Sequence, residues 1–153
     1  MSTSADLSSL ERALADDVAS AETAADAMTR VVERLAREVP HYTWVGIYLL
    51  EGNELVLGPF VGKPSPHVRI RLGQGICGAA ASARATIVVD DVNADPRYLA
   101  CSLETKSEIV VPILAGDRVL GEIDIDSDQP AAFGEGDRRL LEPLAARLAE
   151  RLA

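Results

Sequence analysis

The sequence predicts an α+β domain: a largely antiparallel central sheet of about six strands, with N- and C-terminal helices packed on one face. Two observations carry that expectation. Apolar residues recur every three or four positions at both ends of the chain, as amphipathic helices require. Between them lie short runs rich in Val, Ile and Leu, joined by tight glycine turns that favour antiparallel neighbours. No repeat, low-complexity tract or interdomain linker interrupts the 153 residues. One domain is expected over 1–153, divided into a helical segment (1–39), a sheet with its active-site loops (43–127) and a C-terminal helix (135–153).

In the first segment Leu7, Leu10, Leu14, Val18, Ala21, Ala25, Met28, Val32 and Leu35 form an apolar stripe. Its length suits two helices with a break near residues 19–21, and Pro40 ends the pattern because its ring cannot continue a helix. The stripe suits core packing, with a homodimer seam as the alternative. Strands are expected at 43–50 and 54–60 around the Gly52-Asn53 turn, then at 67–72, where polar and apolar residues alternate. Gly73-Gln-Gly75 then feeds a short helix. A strand at 86–90, a long connection through 105, and a hairpin of 108–114 with 118–126 follow. The last helix carries Leu140, Leu141, Leu144, Leu148 and Leu152 on its apolar side.

A net charge of −9 without a Lys/Arg cluster disfavours nucleic acid as a partner. No run approaches the roughly 20 apolar residues that a membrane-spanning helix needs, and the first residues lack a basic and apolar leader pattern. A cytoplasmic location, away from membranes, is therefore expected. There thiols stay reduced, so the two cysteines read as reactive or inert thiols rather than as a staple. The two histidines and two cysteines show neither Cys-x-x-Cys nor His-x-x-x-His spacing, so no metal is expected. Gly73-Gln-Gly75 is too short to be a dinucleotide loop, and no cofactor is expected.

Several residues stand out as carriers of chemistry. Cys77 follows the glycine turn at a helix start, where free backbone N–H groups are expected to lower its pKa. Cys101 lies in a connection between strands, where a scaffold can present a reactive group. These features alone do not rank the two thiols. Asp124 and Asp126 share one face of their strand, and Glu108 opens the partner strand. Carboxylates gathered in one pocket repel, so at least one should hold a proton near neutral pH. Trp44 and Tyr48, four apart on one strand in a chain with few aromatics, are candidates to wall a pocket.

The element order, with Val110-Val-Pro-Ile113 followed by Val119-Leu-Gly-Glu-Ile123, resembles the GAF fold. A sharper resemblance is to the free methionine-R-sulfoxide reductases. It rests on Trp44-Val-Gly-Ile-Tyr48, Leu55-Val-Leu-Gly-Pro-Phe60-Val-Gly-Lys63, Val68-Arg-Ile70, Gly75-Ile-Cys77, Leu99-Ala-Cys101, Ser107-Glu108 and Ile123-Asp124-Ile-Asp126-Ser127. The resemblance implies reduction of free methionine sulfoxide to methionine, through a sulfenic acid and an intramolecular disulfide. It implies Cys101 as nucleophile, Cys77 as resolving thiol, and a thioredoxin-like reductant as final donor. Glu108, Asp124 and Asp126 would protonate the sulfoxide oxygen and hold the substrate ammonium, with Trp44 and Tyr48 around the S-methyl group. Members of the family commonly carry a third cysteine before Val-Arg-Ile; here His67 stands in its place. That departure keeps a second reading open: a non-catalytic GAF module that binds a small ligand or senses oxidants.

Overall fold

The computed structural model describes residues 4–98 and 104–153, the first three of these by backbone alone. Helices α1 (Ser4–Ser20) and α2 (Ala24–Glu38) precede strands β1 (Trp44–Glu51), β2 (Glu54–Val61) and β3 (Arg69–Arg71). Helix α3 (Gly75–Ala83) and strand β4 (Ile87–Val89) follow, then a 3-10 turn at Val92–Ala94. The chain ends with β5 (Ser107–Ala115), β6 (Arg118–Ser127) and α4 (Glu135–Leu152).

The expected break in the N-terminal segment falls at residues 21–23, where the Thr23 hydroxyl accepts the Asp26 N–H at 3.0 Å and caps α2. The break shifts the helical phase. Ala25 is therefore exposed, contrary to the single-stripe expectation, while Ala27, Met28, Val31, Val32 and Leu35 are buried. The strand expected at 67–72 is only three residues long. Pro64 and Pro66 precede it, and neither can donate a ladder hydrogen bond. The strand expected at 86–90 likewise contracts to three residues.

All six strands form one sheet in the order β3-β2-β1-β6-β5-β4, every neighbouring pair antiparallel. Gly52 and Gly116, both at positive φ, make the tight turns of the β1–β2 and β5–β6 hairpins. Because side chains alternate, β5 and β6 present Ile109, Val111, Ile113, Ile123 and Ile125 to one face. Helices α2 and α4 cover this face, α1 packs on both of them, and together they form the larger core, each buried aliphatic side chain contributing about 1.5–3 kcal/mol. The helices at both ends of the chain thus share one face, as the sequence predicts. Helix α3 packs on the opposite face, with Trp44, Tyr48, Leu55, Ile70, Cys77, Val89 and Val110 in a second, smaller cluster.

Candidate active site

That second face carries the polar chemistry. Register places Trp44 beside Asp126 and Asp126 beside Glu108, so aromatic and carboxylates stand in one row across β1, β6 and β5. One pleat further along, Gly46 lies beside Asp124; two pleats along, Tyr48 lies beside Glu122. Glu108, Glu122, Asp124 and Asp126 are each no more than 5% exposed. Such burial is costly for carboxylates that lack cationic partners. Burial, reinforced by the charges of Asp124 and Asp126, pushes the Glu108 pKa well above the usual range. Burial and Asp124 do the same to Glu122 and Asp126. Asp124 is raised by burial but relieved by hydrogen bonds with Glu108 and Cys77. The crowding expected to leave a carboxyl protonated is present, and Glu122 joins the three acids that the sequence singles out.

Two hollows flank the row. The outer cleft, about 460 Å³ and open to solvent, is lined by Thr43, Trp44, Lys63, Thr105 and Asp126 among others. The Trp44 indole lies flat across Gly46, where any Cβ would collide with the ring, and stacks on Phe60 with centroids 5.7 Å apart. Its Nε1–H donates to the Lys63 carbonyl at 2.9 Å. Those contacts fix the ring as a wall. Lys63 Nζ, the one cation among the described lining residues, donates to both oxygens of Glu104 at 3.0 Å. This pair is largely exposed, the setting in which ion pairs contribute least.

The inner pocket is lined by Tyr48, His67, Ile70, Gly75, Ile76, Cys77, Glu108 and Asp124. The Tyr48 hydroxyl donates to the His67 carbonyl at 2.8 Å, tying the segment before β3 to the sheet. His67 borders the same pocket as Cys77. Donor atoms of Cys77, Glu108 and Asp124 lie within 4.8 Å of one another. That spacing would let them enclose a cation, but the three groups must first lose protons that burial favours keeping.

Cys77 corrects one expectation. It is indeed the third residue of α3, at the end where free N–H groups gather. Yet its pKa is pushed well above the ordinary thiol range, not below it. Burial is the main cause, followed by the charges of Asp124, Glu122 and Glu108. Tertiary neighbours outweigh the helix end. Cys101 lies outside the described residues, so the expected pairing of the two thiols has no geometry here; Glu104 and Thr105, close after it in the chain, line the outer cleft.

The structure therefore brings together Trp44, Tyr48, Cys77, Glu108, Asp124 and Asp126. It adds Glu122, fully buried, and Lys63 at the rim. Glu122 stands two before Asp124, so the alternation that pairs Asp124 with Asp126 is also the signal for it.

A six-stranded antiparallel sheet with terminal helices on one face and an acidic pocket on the other defines a class, and residues 23–152 match the GAF domain family. The chain is 47% identical over 106 residues to the free methionine-R-sulfoxide reductase of Saccharomyces cerevisiae, covering 67% of this chain and 58% of that protein. The chain thus spans somewhat more than half the length of that relative. Its fold matches the Neisseria meningitidis free methionine-R-sulfoxide reductase, solved with its substrate, at a TM-score of 0.94 and 34% identity, over 99% of this chain and 91% of that one. It also matches the type II enzyme of Thermoplasma acidophilum at a TM-score of 0.82 and 41% identity, over 84% and 92%. The chain belongs to the free methionine-R-sulfoxide reductase family of GAF domains.

Proposed function

We propose that the protein reduces free methionine-R-sulfoxide to methionine, with Cys101 as nucleophile, Cys77 as resolving thiol and a thioredoxin-like dithiol as final donor. The observation that supports it best is the buried carboxylate row between the Trp44 cleft and the Cys77 pocket. In this reading the Cys101 thiolate attacks the sulfoxide sulfur while a carboxylic acid of the row protonates the departing oxygen. The protonated oxygen then passes from the substrate sulfur to the Cys101 sulfur as the S–O bond and the new Cys101–substrate S–S bond break, so methionine leaves and Cys101 is left as a sulfenic acid. The Cys77 thiol then condenses with that sulfenic acid, expelling water and forming a disulfide, which the dithiol reopens.

Recognition follows from the outer cleft. Trp44, backed by Phe60, offers an apolar wall to the S-methyl group, and Asp126 faces the ammonium. Lys63 leaves Glu104 for the α-carboxylate, a weak surface pair exchanged for one inside a cleft. A free amino acid satisfies both charges; a residue inside a peptide satisfies neither.

The test is incubation of the pure protein with dithiothreitol and each epimer of free methionine sulfoxide. Methionine is expected from the R epimer alone. None from the R epimer overturns the reading. The alternative, an oxidant sensor or ligand-binding module, is favoured by His67 in place of a third thiol. A sensor would form a disulfide under peroxide yet release no methionine.

A further inference from the structure

We propose that Phe60 sets the size of the S-substituent this site accepts, by holding the Trp44 indole where it leaves room for a methyl group and no more. The inference rests on the reductase reading and adds a positioning residue to it. Strand alternation alone would turn Phe60 the other way. Leu55 and Leu57 pack in the cluster of Trp44 and Tyr48, so strict alternation would bring Pro59 and Val61 to that face as well. The register differs: Tyr48 pairs with Leu57 and Gly46 with Phe60, so β2 spends one residue more than β1 between the two pairs. The extra residue makes a β-bulge at Gly58-Pro59, where a proline without an N–H is tolerated. Beyond the bulge Val61 packs against the helix-covered core, and Phe60 stacks on Trp44. Bulges re-aim side chains, and this one turns one aromatic onto another.

The indole is held along its whole length. Phe60 covers it from the β2 side, with ring centroids 5.7 Å apart and planes 19° from parallel. The six-membered ring lies across Gly46. At the five-membered end a Cβ on Gly62 would come within 2.6 Å of Cδ1, and Gly62 sits at φ +131°, which favours glycine. The Nε1–H is tied to the Lys63 carbonyl at 2.9 Å. In the sheet β1 lies between β2 and β6, so Phe60 and the carboxylates of β6 flank Trp44 from opposite sides. A group bound between the carboxylate row and the indole gains room only by pushing the ring toward Phe60. Phe60 itself is 38% exposed and lies outside both apolar clusters. Its ring therefore serves Trp44 more than it serves the core.

Free methionine-R-sulfoxide and free ethionine-R-sulfoxide differ by one methylene, for which a fixed apolar wall discriminates by about ten- to two-hundredfold. The wild type should favour the S-methyl substrate in kcat/KM by a factor in that range. Phe60→Ala should cut the preference to less than about threefold, through a higher KM for the S-methyl and a lower KM for the S-ethyl substrate, with kcat nearly constant. Phe60→Tyr keeps the stack and should restore the preference. Trp44 is the single tryptophan of the chain, so intrinsic fluorescence reads this ring alone. In Phe60→Ala its emission should shift to the red and acrylamide should quench it more strongly, and Phe60→Tyr should reverse both changes. Quenching of Trp44 by each sulfoxide gives its affinity whether or not turnover follows. A Phe60→Ala variant with unaltered fluorescence or an undiminished preference overturns the proposal. A wild type that takes both homologues equally overturns it too, and that comparison decides should the alanine variant not fold. Absence of methionine from the wild type, with an affinity preference that still depends on Phe60, instead counts against the reductase reading.

Discussion

The two faces of β5 and β6 are equally buried and chemically opposite. On one, Ile109, Val111, Ile113, Ile123 and Ile125 meet the terminal helices in an apolar core. On the other, at alternating positions of the same strands, Glu108, Glu122, Asp124 and Asp126 are sealed from water beside Cys77 and the aromatics. The first face lowers the free energy of the fold with every side chain it hides. The second raises it, since each carboxyl loses hydration without gaining a cation among the described residues. Stability and chemistry are divided between the two sides of a single sheet.

The comparison can be broken most forcefully at the thiols. Cys101→Ser should abolish methionine formation, and Cys77→Ser should limit the protein to one methionine per chain without added small thiol; a mass-balance assay checks both. Next in size is the apolar face. Ile123→Ala should cost about 2–5 kcal/mol in urea unfolding, as buried large-to-small changes do, while activity per folded molecule holds. At the rim, Lys63→Gln should raise KM for the free sulfoxide about tenfold, one lost ionic contact, with little change in kcat. The same variant should lose selectivity over the methionine sulfoxide methyl ester, and Lys63→Arg should restore part of it.

The smallest effect is a slope. Glu108, Glu122 and Asp126 carry pKa values raised on folding above the ordinary carboxylate values near 4. The folded state therefore binds more protons than the unfolded one above about pH 4, and stability falls as pH rises through the raised values. Urea midpoints should decline from pH 5 towards pH 8. Glu108→Gln should flatten that decline, and an unchanged slope would mean the row is ionised in the fold.

Much of this is legible in the sequence, and the exceptions share a cause. Glycine turns announce the hairpins, and alternation puts Asp124 with Asp126, because both signals are local. The shifted phase at Ala25 and the cap at Thr23 depend on where one helix stops, which periodicity alone does not place. Alternation places Glu122 on the Asp124 face, but it does not say whether that face meets solvent or an interior. Only α3, arriving from a distant part of the chain, makes that face an interior. Cys77 misleads for the same reason: its position at a helix start is local, whereas the carboxylates that raise its pKa come from β5 and β6.

Asp124→Asn tests the division of labour most directly, because it deletes one buried ionisable group and little else. Urea unfolding at pH 8 and the rate of methionine formation from the R epimer should be measured on the same sample. The variant should be as stable as the wild type or more so, with its rate reduced at least about a hundredfold. A variant that loses stability yet keeps its rate per folded molecule would contradict the account, for the acidic face would then be structural.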